Sequence, residues 1–283
     1  MEKKKNDIWA IITILCMCVT SITGILSMNF EYAYDFVNQY GQTVKIFGYG
    51  IYANDSYFKA PISIGTDFCI LFALVPLFVY TYLFYRKNSN VISEIKLISV
   101  YAVAFYYGAS IAFGVTYNQI FLVYVILFTS SLFGMFSHIR KVKVQQKLLV
   151  TKGLSVFLIL AGIALIVAWM PDIISAMVTG ETLSLIGVYT TEITYVLDMG
   201  IISPMCFVCL YLLKKKEGLG VILLAVLLKL CIIVGIMIIP QSICQVLSGV
   251  EIALPVLVTK GLSFVVLGGF ALYFNRKLYR EQT

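Results

Sequence analysis

The chain has 283 residues, of which 60% are hydrophobic and 12% charged. A soluble domain carries roughly a quarter charged residues, so these few cannot cover a water-soluble particle. The net charge of +7 does not point to nucleic acid, because the basic residues sit in short clusters between apolar blocks, the pattern of loops that flank membrane spans.

A bilayer core of roughly 30 Å requires about 20 apolar residues of each helix, and the apolar blocks have that length. Barrel strands would be shorter and polar at alternate positions. The sequence therefore predicts an all-α, polytopic helical membrane protein with about eight transmembrane helices. In chain order the spans are 8–27, 66–85, 95–115, 120–136, 154–170, 193–213, 219–239 and 252–274. The first block is long and no clean small-residue cleavage pattern follows it, so it reads as a span rather than a signal peptide.

Orientation follows from lysine and arginine. Lys3–Lys5, Arg86, Lys87 and Lys96, the run from Arg140 to Lys152, Lys214–Lys216, and Arg276, Lys277 and Arg280 lie on one set of segments, holding seventeen of the 21 basic residues. The opposite segments hold Lys45 and Lys59 against Glu31, Asp35, Asp55, Asp172 and Glu181. Both termini are thus expected in the cytoplasm of a plasma membrane.

Two outer segments are long, 28–65 and 171–191. The first is crowded with tyrosine and phenylalanine, which suits an interfacial aromatic belt or an aromatic cap over an outward-facing site. Residues 43–52 within it read as a short extended piece or hairpin. The second includes an apolar stretch that suits a short interfacial helix.

Spans one to four (1–152) and five to eight (153–283) share one plan: a span, a long outer segment, a span, a tight basic turn, a span, a short outer turn and a span. Pro76 lies ten residues before Arg86, and Pro204 ten before Lys214. With an even number of spans per half, the expected repeat is parallel, about an axis along the membrane normal.

An ionisable side chain inside hydrocarbon costs several kcal/mol and normally faces a partner or a water-filled cavity. Asp67, Glu192, Asp198, Lys229, Glu251 and Lys260 fall in or at the ends of spans. At about 1.5 Å per residue, Asp198 and Lys260 lie at matching depths and Lys229 near the midplane. The candidate site is an outward-opening polar cavity with Asp198 paired to Lys260 or Lys229, Asp67 and Glu192 at its mouth, and Asn118, Tyr189 and Tyr195 lining it. A purely structural ion pair between helices is the competing reading.

Other signals are weaker. Cys206 and Cys209 form a CxxC, but scattered cysteines are common small apolar fillers in helices. His138, the only histidine, is expected to cap a helix end or meet headgroups. Gly48 and Gly50 make no dinucleotide fingerprint. No phosphate loop or GxSxG is present, and Ser110, Ser130 and Ser131 read as packing residues. No cofactor or metal is called for.

The runs FGYGIYANDS (47–56), GTD (65–67), YNQIFLVY (117–124) and TYVLDMGIISP (194–204) resemble patterns in a set of uncharacterised multi-spanning bacterial membrane proteins. The resemblance spans most of the chain and implies a bacterial cytoplasmic membrane. It assigns no activity, so no functional residue is carried over.

Three functions fit. Transport of a small solute or ion explains a repeat and buried charges of both signs. A permease-like subunit, sensor, lipid-binding receptor, or assembly or immunity factor with a protein partner explains the large aromatic segment. A membrane enzyme acting on lipid would use Asp67, Glu192 and Asp198 as metal or acid–base carboxylates, though they lack close motif spacing.

Overall fold

The computed structural model describes residues 7–250 and 254–282; of 254–260 and 263 only the backbone course is described. The described residues form eight long helices: α1 (Ile8–Leu26), α2 (Lys59–Asn88), α3 (Val91–Gly114), α4 (Phe121–Ile139), α5 (Lys152–Thr179), α6 (Ile193–Lys214), α7 (Gly218–Leu247) and α8 (Leu254–Gln282). The first seven are long and apolar enough to cross a membrane. This is the architecture of a multi-pass membrane protein.

Caps set several helix starts. Asp7 accepts from Trp9 and Ala10 N–H groups ahead of α1. Asn90 and Ser93 exchange bonds in a capping box at the start of α3, which satisfies donors that the first turn leaves open. The helices alternate in direction, so the bundle has a basic end, carrying Asp7 and the lysine-rich turns, and an opposite hairpin end. There β1 (Tyr34–Val37) and β2 (Thr43–Ile46) pair antiparallel, Tyr34 opposite Ile46 and Val37 opposite Thr43.

α3 and α7 are the central helices: 67% and 56% of their apolar windows are buried, against 28% for α5. The peripheral helices turn Leu15, Leu26, Phe72 and Leu160 outward, as lipid-facing surfaces do. One buried cluster joins α1–α4 to the Ile222–Val226–Leu230–Ile233–Met237 stripe of α7. A second joins α5–α8 to another α7 face through Val221, Ala225 and Leu228. Neighbour relations correspond between the two sets: α1 with α2 and α5 with α6, α2 with α3 and α6 with α7, α3 with α4 and α7 with α8. Across the middle, α2 packs on α7 and α6 on α3.

α2 and α6 share a local departure from α geometry. Each widens into a single π turn, at Ile70–Leu74 and at Asp198–Ile202. Val75 N–H bonds Ile70 O and Ser203 N–H bonds Asp198 O, five residues back, and proline follows immediately as Pro76 and Pro204. Proline has no N–H and its ring crowds the carbonyl four residues earlier; a widened turn relieves that crowding.

Several boundaries differ from the sequence reading. α2 starts at Lys59, seven residues before its expected start at 66. α5 runs through Pro171 to Thr179, so the short helix expected in 171–191 is its continuation. α7 runs through Pro240 to Leu247. A proline ends a helix only where the freed carbonyls find nothing better, and helix walls inside a bundle supply alternatives. Residues 43–46 are extended as expected, but Gly50–Tyr52 turns into a 3-10 helix.

Candidate functional site

Two carboxylates lie inside the helical bundle. Asp67, on α2 one residue-triplet before its π turn, is fully buried. Tyr52 donates to its Oδ2 at 2.5 Å and Tyr107 to its Oδ1 at 2.7 Å, with Thr20 Oγ1 3.2 Å from the Tyr107 hydroxyl. Gly24 of α1 makes room: a Cβ there would stand 1.7 Å from Asp67 Oδ2. Asp198 opens the second π turn. Tyr106 donates to its Oδ1 at 2.8 Å and the Trp169 indole to its Oδ2 at 3.0 Å. Trp169 stacks on Tyr195, 4.6 Å between centroids, and Tyr195 in turn donates to Asp172.

Neither carboxylate has a basic partner among the described residues. Hydroxyl and indole donors satisfy them instead. Such a shell satisfies the carboxyl oxygens by hydrogen bonding rather than by an opposite charge.

At the hairpin end a separate cluster joins chain segments far apart in sequence. Lys59 is ion-paired with Glu192 and stands 4.0 Å above the Tyr189 ring. Tyr189 donates to Asp55 Oδ1 at 2.7 Å, and Thr116 N–H donates to the same oxygen at 3.0 Å. The Thr116 hydroxyl lies beside the carboxyl, yet neither it nor Asp55 Oδ2 completes a hydrogen bond. Burial pushes the Asp55 carboxyl up to about 6, against the opposing effects of Thr116, Tyr189 and Lys59. Burial and the adjacent Asp55 carboxylate raise the Tyr189 hydroxyl well above its usual value. Asn38, Gln39, Tyr40 and Gln42 extend the junction by bonding Gly187 O, Tyr189 O and Thr182.

At the basic end, His138 of α4 is buried with Nε2 2.8 Å from Asp7 Oδ2 and Nδ1 2.7 Å from Glu94 Oε1. Tyr101 donates to the same Asp7 oxygen at 2.7 Å. An imidazole can donate to both acids only as the imidazolium. Burial pushes the Asp7 carboxyl up, but His138 and Tyr101 outweigh it and hold the group below its ordinary value. His138 therefore ties α1, α3 and α4 together rather than meeting headgroups.

The expected residues that the structure describes belong to separate clusters. Among the described residues, Asp67, Glu192 and Asp198 each engage different partners. Asn118 closes the α3–α4 turn, its amide 3.1 Å from the Tyr124 hydroxyl and its Oδ1 accepting from Ile120 N–H. Lys229 does not pair with Asp198. α7 extends eight residues past its expected end, which leaves Lys229 eleven residues from the basic end and eighteen from the hairpin end. The Lys260 side chain and Glu251 lie outside the described residues. Tyr189 belongs to the Asp55 cluster and Tyr195 to that of Asp198. Cys206 and Cys209 are buried free thiols, Cys209 donating to Gly220 O.

Sequence reasoning missed the donors Tyr52, Tyr106, Tyr107 and Trp169. The adjacent tyrosines of α3 were the available signal, since a buried tyrosine hydroxyl in an apolar helix needs an acceptor. The chain matches no protein-family model, no curated protein and no solved structure.

Proposed function

We propose that this chain is a multi-pass transport protein of a bacterial cytoplasmic membrane, moving a small solute or ion, with Asp67 and Asp198 as the groups that bind the moving or coupling cation. One observation carries the reading: two carboxylates lie buried among apolar helices beside matching π turns, satisfied by neutral donors and without a basic partner among the described residues. Buried carboxylates of that kind are the usual elements of ion and proton pathways, and π turns concentrate at functional sites.

The corresponding helix neighbours, the two buried clusters and the shared π-turn–proline register support a parallel four-plus-four repeat, 1–152 and 153–283, about an axis between α3 and α7. The two carboxylates are not strict equivalents: Asp198 corresponds to Ile70, and Asp67 to Tyr195, one turn away. The basic end, with both termini, faces the cytoplasm, and the Asp55–Tyr189 and Lys59–Glu192 contacts close the route at the outer, hairpin end.

The test is proteoliposomes loaded with a pH-sensitive dye and challenged with sodium and a panel of small solutes. A solute- or ion-dependent signal above empty liposomes, lost in both Asp67→Asn and Asp198→Asn, supports the reading. A null response across the panel, or a response equal in wild type and both variants, overturns it.

A further inference from the structure

The basic end carries a groove of about 660 Å³ that the transport reading does not use. Its walls are the 146–150 strap before α5, the first turns of α5, and the last turn of α6 with the residues just beyond it. Lys152, Lys214 and Lys216 stand on its rim, all exposed, and no acidic residue lines it. Glu281 is the nearest acid to the strap, accepting from Leu149 N–H, and it is paired with Lys277.

Apart from Gln146 and Ser155, the rest of the lining is apolar. Leu149 is 71% exposed and Val156 53% exposed, an unfavourable arrangement for residues facing water. Val156 also continues directly into the exposed α5 stripe of Ile159, Leu160 and Ile163, one helical face at spacings of three and four. A positive rim thus opens onto a strip of lipid-facing hydrocarbon.

We propose that this groove is a binding site for an anionic phospholipid, its phosphate held by Lys152, Lys214 and Lys216 and an acyl chain laid along the Val156–Ile163 face of α5. Charge complementarity selects an anion, and continuity with the α5 stripe selects one with a hydrocarbon tail over a free phosphate. Basic pockets at the ends of membrane helices bind anionic headgroups by this division of labour, and the volume falls in the range of small-molecule sites.

Native mass spectrometry of the detergent-solubilised full chain tests it, with phosphatidylglycerol and phosphatidylcholine titrated separately. The expected result is a first phosphatidylglycerol bound at least tenfold more tightly than phosphatidylcholine. Each of Lys152→Gln, Lys214→Gln and Lys216→Gln should weaken it about fivefold, and the triple variant should abolish the preference. A control triple of Lys87→Gln, Lys141→Gln and Lys143→Gln removes the same charge outside the groove and should retain it. All six side chains are exposed, so both triples should fold. Equal binding of the two lipids, or equal losses in the two triples, overturns the site. Displacement of the lipid by millimolar glycerophosphoglycerol, which has the headgroup without chains, would likewise overturn it in favour of a soluble phosphate site.

Discussion

Tyr106 and Tyr107 are consecutive on α3, yet their hydroxyls donate to different buried carboxylates, Asp198 at 2.8 Å and Asp67 at 2.7 Å. Successive helix residues point about 100° apart, and α3 stands between α2 and α6, so one dipeptide reaches both. The two carboxylates thus share α3 as the source of one hydroxyl donor each.

The Tyr107–Asp67 contact is measurable. Tyr107→Phe removes a donor from a fully buried carboxylate and should cost about 1.5–3 kcal/mol, read as a lower unfolding midpoint in detergent. On an Asp67→Asn background the same substitution should cost less, because the amide is neutral. Equal costs on the two backgrounds would show that the hydroxyl does not serve Asp67.

Gly24→Ala places a methyl 1.7 Å from Asp67 Oδ2. The helix must shift or the carboxylate must leave its donors, so a loss of about 1–3 kcal/mol is expected. Gly153→Ala, whose nearest neighbour would be 3.9 Å away, provides the comparison and should be close to neutral. Similar thermal midpoints for the two variants would refute the close approach.

For Asp55 the folded carboxyl, at about 6, lies above its ordinary 3.8. The folded state therefore holds the proton more tightly than the unfolded state, so stability falls as pH rises from about 4 to about 6 and levels off above. A proton on Oδ2 would also supply the Thr116 hydroxyl with a donor. Asp55→Asn should flatten this pH dependence and raise stability near neutrality by on the order of 3 kcal/mol. Melting curves across pH 4 to 8 decide it; a slope unchanged in the variant assigns the titration elsewhere.

Lys59 and Glu192 form a mostly buried pair. Removing one partner leaves the other uncompensated, so Lys59→Met or Glu192→Gln alone should each cost about 1–3 kcal/mol. The double variant should cost less than the sum of the singles. A double-mutant cycle with no coupling would show that the pair contributes nothing to holding the hairpin end closed.

The long helices were legible because a bilayer imposes length and hydrophobicity on them. So was the position of Asp198 inside a span, since charge stands out against apolar sequence; Asp67 was expected at the mouth, and the start of α2 at Lys59 instead buries it. Their partners were not. Hydropathy gives depth and no rotation about the helix axis, so it could not show that Tyr106 and Trp169 face Asp198. Helix ends at Pro171 and Pro240 misled for a related reason, because proline signals a lost hydrogen bond and neighbouring helices decide whether the helix stops. The Asp7–His138–Glu94 cluster was hidden by its spread over 131 residues.

Each π turn is one surplus residue threaded into an otherwise continuous helix. Deleting that residue, Met199 in α6 for example, would restore ordinary pitch and swing everything on its hairpin side by about 100°. Asp198 would be carried away from Tyr106 while the basic end of the helix stayed in place. The same geometry makes the widened turn a swivel: a bulge that slides by one residue rotates one end of the rod against the other without stranding a backbone amide in hydrocarbon. Two such turns, each followed by a proline, flank α3, so on both sides of Tyr106 and Tyr107 the facing of the hairpin-side half of a helix is set independently of its basic-side half.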